Sequence, residues 1–435
     1  MLSHEDNELL CRVGAGTPMG ELIRRYWFPA MLSADLPEPG GPPKGLRLLG
    51  EDLVIFRADD GRIGLIDGRC PHRRVRLTLA RNEGCGLRCV YHGWLMDADG
   101  AVIDTPAEPE VSRFGRNVRT AAYAVRAVGG LVWAYLGPAA ERPPFPEFEW
   151  TGLPLGHLVH AQIQARANFV QVLEGTIDSS HVAVLHADNV AGSSRDDIDT
   201  KTPLDERRRS VRPSTDPRPR IEVEETGYGF HYAALHRPYE GGEGRWWARV
   251  TQFVAPFYSF IPGEIFTAFV PVDDYRSIFF AVSYNRDAPV SEETRREREE
   301  HFGVRLGIDL DSDYTMLGRG EENNWGQDRA AMSHGDSFSG LPGVSIEDVA
   351  VQESQGRIVD RSRENLGAQD IAIATMRRLL LAGARRVAAG QPPASDPRAL
   401  DYRSIRPVMR MLEADGRWQD LDRPDEAASE RQATV

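Results

Sequence analysis

Short, β-like apolar runs broken by turn residues fill most of the first third of the chain. The runs LRLLG, DLVIFRA, IGLIDG, GLRCVYHGW, AVIDTP and GLVWAYLG lie between Gly45 and Pro138. Asp-Asp-Gly, Asp-Gly and Gly-Gly turns separate them, which is the pattern of a small antiparallel β domain. Upstream, Met19 to Trp27 carries one helical pattern, and PEPGGPP follows it as a turn or linker. ERPPFPEFEW, from Glu141 to Trp150, marks a second boundary. Beyond Gly152, VEETGYGFHYAALH, WWARVTQFVAPFYSFI, EIFTAFVPV and SIFFAVSYNR predict one large antiparallel sheet. SEETRREREEHFGVRLG predicts a helix capped by Ser291, with acids in its first turn and too much charge for a core position. Asp370 to Ala389 predicts a longer amphipathic helix, capped by Asp370 and stopped by Gly390. The pattern as a whole predicts an α+β protein. A helical segment spans 1–45, a β domain 46–150, a second domain 151–415 and a loosely held tail 416–435.

Composition narrows the function. A chain of 435 residues has room for two or three domains. No apolar run approaches the roughly 20 residues that cross a bilayer. The polar, acidic start MLSHEDNELL does not read as a signal peptide, so a cytoplasmic location is expected. The net charge of −13 argues against a nucleic-acid partner. Lys44 and Lys201 are the only lysines, so the run Arg207-Arg208-Arg209 reads as coding bias in a solvated loop. The four cysteines are Cys11, Cys70, Cys85 and Cys89. The close spacing of the last three suits metal binding in a reducing compartment better than disulfides.

Two stretches carry chemistry. NFVQVLEGTIDSSHVAVLH, from Asn168 to His186, holds Asp178, His181 and His186. Two imidazoles and a carboxylate on one side of a metal are what a non-haem Fe(II) centre uses to leave positions open for O₂ and substrate. By itself this is weak, because paired histidines on a mixed helix are ordinarily core or surface residues. The second stretch changes that. Cys70-Pro71-His72 and Cys89-Val90-Tyr91-His92 give C-x-H, sixteen residues, then C-x-x-H. Two thiolates and two imidazoles suit either a tetrahedral zinc or a Rieske 2Fe–2S cluster, whose Cys pair binds one iron and whose His pair binds the other. Zinc fingers pair cysteines with cysteines locally. Here each half offers one of each kind, which favours the iron–sulfur cluster. Cys85 breaks the symmetry and reads as a bystander, and Cys11 as a small core residue.

With GTPMGELIRRYWFPAML, CPHR, RNEGCGLRCVYHGW, EGTIDSSHVAVLH and IEDVAVQESQGRIVDRSRENLG, the chain resembles the Rieske non-haem iron oxygenases. Within them it is similar to the phthalate 4,5-dioxygenase type of oxygenase (alpha) subunit. The resemblance runs from about Gly14 to about Arg386. It implies a Rieske domain followed by a helix-grip (START-like) catalytic domain. It implies a 2Fe–2S cluster on Cys70, His72, Cys89 and His92, and a mononuclear Fe(II) on His181, His186 and Asp348, with Glu347 as the rival to Asp348. If residues 347 and 348 alternate, only one of them faces the iron. One departure is Arg74-Val75-Arg76, where relatives usually carry small residues after CPHR; the loop's potential or docking surface is expected to differ. His181 and His186 are five apart, about 140° around a regular helix, so shared ligation requires a bend, helix end or π-turn between Asp178 and His186.

The resemblance further implies that Asp178 bridges His181 to His92 of a neighbouring copy, and hence a homo-oligomer, trimer or hexamer. It implies an NAD(P)H-dependent flavin and iron–sulfur reductase as partner; no G-x-G-x-x-G fingerprint occurs in the chain itself. The implied reaction uses O₂ in aromatic catabolism: dihydroxylation of a phthalate-like or phenoxybenzoate-like carboxylate, or monooxygenation or aryl-ether O-demethylation. Ser179, Arg207, Arg245 and Arg249 are candidates for holding the substrate's carboxylate. Phe257, Tyr258 and Phe260 read as cavity lining or as a core stripe. Asn168, Gln171 and Glu174 recur at helical spacing and read as groups behind the iron, a polar entrance or a solvated face. A Rieske electron-transfer protein or a zinc-binding protein are the non-oxygenase alternatives.

Overall fold

Helical structure begins earlier than the Met19 pattern. A computed structural model describes residues 2–109, 117–186, 218–237 and 244–421. Helix α1 (His4–Cys11) is capped by Ser3, whose hydroxyl accepts from the Asp6 amide. Helix α2 (Pro18–Arg24) has Thr17 as its cap and proline at its first position, where the missing N–H costs nothing. It ends before Trp27, because Phe28–Leu32 leaves as strand β1.

Nine more strands follow before residue 136: β2 (Lys44–Leu48), β3 (Glu51–Arg57), β4 (Ile63–Asp67), β5 (Arg81–Glu83), β6 (Gly86–Arg88), β7 (Leu95–Asp97), β8 (Val102–Asp104), β9 (Ala122–Val128) and β10 (Leu131–Tyr135). They form an antiparallel six-stranded sheet, β1-β10-β9-β4-β3-β2, and a four-stranded one, β5-β6-β7-β8. The first 45 residues are therefore not separate, since β1 is an edge of the larger sheet. The small sheet and the loops around it stand on their own core of Val54, Phe56, Ile66, Leu77, Leu87 and Met96.

The second half holds the large antiparallel sheet that the sequence predicts. Its strands are β11 (Leu158–Ala165), β12 (Arg220–Thr226), β13 (Gly229–His236), β14 (Arg245–Val254), β15 (Tyr258–Ile261), β16 (Ile265–Asp273), β17 (Arg276–Tyr284) and β18 (Val408–Glu413). The order is β11-β17-β16-β15-β14-β13-β12, with β18 on β14. Between β11 and β12 lie α3 (Phe169–Ile177) and the single turn α4 (Val182–Leu185). After β17 come α5 (Glu292–Phe302), α6 (Arg329–His334), α7 (Val344–Ser354) and α8 (Ile371–Ala388). Ser291 caps α5 through the Thr294 amide, and Gly303 closes it in the left-handed region at φ 68°. Asp370 differs from expectation: its carboxylate accepts from the Gly367 amide and leaves the amides of α8 alone. Helix α8 packs on α1, α2, β12 and β13, so one long helix is gripped between the sheet and the N-terminal pair.

Phe257, Tyr258 and Phe260 are core, not cavity. All three are buried, and Tyr258 and Phe260 meet Phe148 and Phe266 ring to ring. The start of the expected tail is also tied down: Trp418 is buried and its indole N–H donates to Glu222 at 2.8 Å. Among the described residues no helix is long and apolar enough to cross a membrane.

Candidate metal centres and the cavity

The two Cys/His loops are built alike. The Cys70 amide donates to Val75 O at 2.8 Å, and the Cys89 amide donates to Trp94 O at 2.8 Å. Each loop places its fifth residue at positive φ, Arg74 at 60° and Gly93 at 74°. Both cysteines are buried while His72 and His92 are partly exposed. The two imidazole rings lie 4.6 Å apart, and His72 stacks on Trp94 at 4.6 Å with 5° between planes. Burial, with the neighbouring Cys89 thiol, pushes Cys70 up to about 11, so a thiolate there needs a metal's charge. Sulfur donors inside and imidazoles at the surface fit a two-iron cluster, with one iron on the Cys pair and the other on the His pair. Cys85 is partly exposed and forms no disulfide. Cys11 is buried against Arg361, and burial pushes its thiol up to about 11. Arg74 reaches Asp67 at 2.9 Å, and Arg76 is exposed.

The helix break required by the second motif is present. α3 ends at Ile177, Asp178 to Ser180 are extended or bent, and His181 and His186 flank the turn α4. That turn brings the two Nε2 atoms to 3.2 Å of each other. Asp348 Oδ1 lies 3.1 Å from His186 Nε2 and 3.5 Å from His181 Nε2. Among the described residues these three form the group whose donors lie within 4.8 Å of one another. Two imidazole nitrogens this close, beside a carboxylate, must share a proton or a metal ion between them. Nitrogens on adjacent positions of one metal, at bonds near 2.1 Å, would be about 3 Å apart, so the donor set fits. Burial works against a charged His181, yet Asp178 and Asp348 push it up to about 10. Burial likewise works against ionised Asp348, but His181 and His186 hold it far below the usual carboxylate range.

Asp348 and Glu347 do not alternate, because both lie on helix α7. Successive helical residues are about 100° apart, so both reach the site from different sides. Asp348 faces the donor group, and Glu347 Oε2 sits 2.7 Å from His186 Nδ1. Asp178 Oδ2 lies 3.4 Å from His181 Nδ1, and Asp178 Oδ1 accepts from the Ser180 amide and hydroxyl.

A cavity of about 620 Å³ opens onto this group. Asp178, Ser179, His181, His186, Arg249 and Asp348 all line it. Ser179 is fixed by Tyr232, whose hydroxyl also donates to Ile177 O. Arg249, on β14, is close enough to act electrostatically on buried Tyr232. Arg245 is not among the lining residues; it pairs with Glu413 at 3.0 Å at an exposed strand end. Arg207 lies outside the described residues. Sequence reasoning missed one wall: α5 buries none of its residues, yet Thr294, Glu297, Arg298, His301 and Phe302 line the cavity. Its charge pattern said only that it was not core.

Asn168, Gln171 and Glu174 are neither solvated nor behind the donor group. Asn168 binds Cys11 O and Asp274 O, Gln171 binds Gln352 O and Gly356 O, and Glu174 is buried between Arg361 and Arg377. They tie α3 to both ends of the chain.

A family model described as a Rieske [2Fe-2S] domain matches residues 26–115, and one described as LigXa C-terminal domain like matches residues 134–433. The chain is 41% identical to the phthalate 4,5-dioxygenase oxygenase subunit of Pseudomonas putida, over 90% of this chain and 88% of that one. It is 32% identical to the 5,5'-dehydrodivanillate O-demethylase oxygenase subunit of a Sphingobium species, over 90% and 83%. Among solved structures, the reduced complex between oxygenase and ferredoxin in carbazole 1,9a-dioxygenase shares the fold. The TM-score is 0.55 at 20% identity, over 89% of this chain and 98% of that one.

Proposed function

The chain belongs to the Rieske non-haem iron oxygenases, and on that premise we propose that it is the terminal oxygenase for an aromatic carboxylate, phthalate-like or phenoxybenzoate-like. In this reading residues 46–150 relay electrons from Cys70, His72, Cys89 and His92, and residues 151–415 carry the reaction. The observation behind it is the convergence of His181, His186 and Asp348 on one cavity that also contains a cation, Arg249. When bound, the cluster supplies single electrons and the mononuclear iron activates O₂. The chain's own residues do the rest. His181, His186 and Asp348 hold the metal on one side and leave the cavity side to substrate. Arg249 pairs with the carboxylate, which cannot be buried unpaired. Ser179, whose hydroxyl donates to Tyr232, lies beside it and can accept from a substrate hydroxyl or water. Apolar Ile163, Val172, Ile261 and Phe279 exclude water around the ring. The cavity volume is in the range that takes drug-sized ligands, which leaves room for a second ring.

Asp178 joins His181 to His92 of a neighbouring copy, so the working form is a homo-oligomer, trimer or hexamer. The electron donor is an NAD(P)H-dependent flavin and iron–sulfur reductase; the ferredoxin in the carbazole dioxygenase complex supports an iron–sulfur donor. A second reading, O-demethylation of an aryl ether, is favoured by the similarity to the dehydrodivanillate enzyme. The test is product analysis with phthalates, benzoates, phenoxybenzoates and methoxybenzoates, using a surrogate reductase. A cis-dihydrodiol from a carboxylated arene is the expected product. Release of formaldehyde from a methoxybenzoate decides for the second reading, and oxygen uptake with none of the panel sinks both.

A further inference from the structure

Behind the proposed metal site is a chain of hydrogen bonds that the oxygenase reaction does not itself require. Glu347 is completely buried, one residue before Asp348 on α7. Its Oε2 accepts from His186 Nδ1 at 2.7 Å. Its Oε1 accepts from the Ser339 hydroxyl at 2.5 Å, and Ser339 Oγ in turn accepts from the Leu341 amide at 3.1 Å. The chain thus starts on backbone and ends on an imidazole whose other nitrogen faces Asp348 and His181. A carboxylate held at both oxygens cannot rotate, so it pins both the ring plane and the proton on Nδ1. That leaves the Nε2 lone pair aimed at the centre. His186 is nearly inaccessible, whereas the other ring, His181, is about one-fifth exposed and has its carboxylate at a looser 3.4 Å.

We infer that Ser339 and Glu347 are positioning residues which lock His186 as the fixed arm of the metal site and so set how tightly the site holds a divalent metal. This rests on His181, His186 and Asp348 being that site. The loop carrying Ser339 has a backbone path that few side chains would permit. Gly340 and Gly343 sit at φ 68° and 75°, and a Cβ on Gly340 would come within 2.6 Å of Asp328 O.

The experiment titrates Co(II) into chelator-treated protein that keeps its Rieske absorbance, reading affinity by calorimetry and ligand field by the visible difference spectrum. E347A is expected to bind Co(II) about 10- to 100-fold more weakly, as when a carboxylate behind a ligand histidine is lost elsewhere. S339A should weaken it less. E347Q, whose amide oxygen still accepts from Nδ1, should recover most of the affinity and the wild-type spectrum. E347A or S339A binding Co(II) as tightly as wild type overturns the inference, and so does E347Q binding as weakly as E347A. If E347A does not fold, S339A and E347Q decide. D348A separates the two levels. Unchanged Co(II) binding in D348A sinks the metal-site reading itself. Loss in D348A, with no change at 347 and 339, sinks only the lock.

Discussion

Arg74 occupies in the first cluster loop the backbone position that Gly93 holds in the second. A side chain at that left-handed conformation costs about 1–2 kcal/mol. Its ion pair with Asp67 is exposed and contributes about 0–1 kcal/mol. Arg74→Gly is therefore expected to stabilise the β domain by about 0.5–1 kcal/mol, read as a higher denaturation midpoint with the Rieske absorbance unchanged. A lower midpoint would mean that the Asp67 contact outweighs the strain. In the cavity, Arg249→Gln would remove the charge-assisted contact to a buried carboxylate that is proposed above. A change of about 1.5–3 kcal/mol corresponds to a KM raised about 10- to 100-fold. kcat should move less, and the methyl ester of the same substrate should be indifferent to the change. Equal effects on acid and ester would place the carboxylate elsewhere.

Helix α3 carries a buried polar face. Glu174 meets Arg361 at 2.9 Å and Arg377 at 2.6 Å, and Arg377 continues to Glu364. Removing one partner leaves an uncompensated buried charge, so Glu174→Ala should cost about 3–5 kcal/mol in a urea melt. Burial alone would raise the Glu174 carboxyl; the two guanidinia hold it below its ordinary value. The folded state then binds fewer protons than the unfolded one. This stability is fully present above the unfolded value of about 4.3 and is lost as pH falls through the lower folded one. Midpoints measured from pH 7 down to pH 3 should fall in wild type, with a shallower fall in Glu174→Gln. The same face shows where a sequence stops being readable. Glu174 and Arg361 are 187 residues apart, and a polar residue at helical spacing looks identical whether it faces water or a distant arginine. Helix α1 is hidden for a related reason: eight residues with little amphipathic bias, held by contacts from the far end of the chain such as Asn7 to Val359 O. What was legible had its cause nearby. Ser291 caps the next turn, the Cys/His loops keep both donors within a few residues, and the geometry of five-residue spacing forced the break between His181 and His186. Glu347 and Asp348 mislead because strand-like alternation does not apply where α7 is helical.

At the scale of the assembly, Asp178 is where copies are proposed to meet. Asp178→Ala should keep both metals and a reducible cluster, yet lose coupling between cluster oxidation and product formation in single-turnover kinetics; full coupling would remove its bridging role. Transfer between copies is tested by mixing a chain lacking the cluster, Cys89→Ser, with one lacking the metal, Asp348→Ala. Random mixing in a ring makes about one site in four productive, so the mixed assembly should regain about a quarter of wild-type activity while neither parent has any. No recovery in a verified mixed assembly means each chain is electrically self-contained. One wall of the reaction chamber has a wider consequence. Helix α5 faces the cavity with Thr294, Arg298 and His301, all half-buried and none part of the core. Exchanges at positions outside the core should cost less stability than exchanges within it. Part of the cavity wall is thus written on a stretch of chain outside the core and apart from His181, His186 and Asp348, so that wall can be reshaped with less risk to folding.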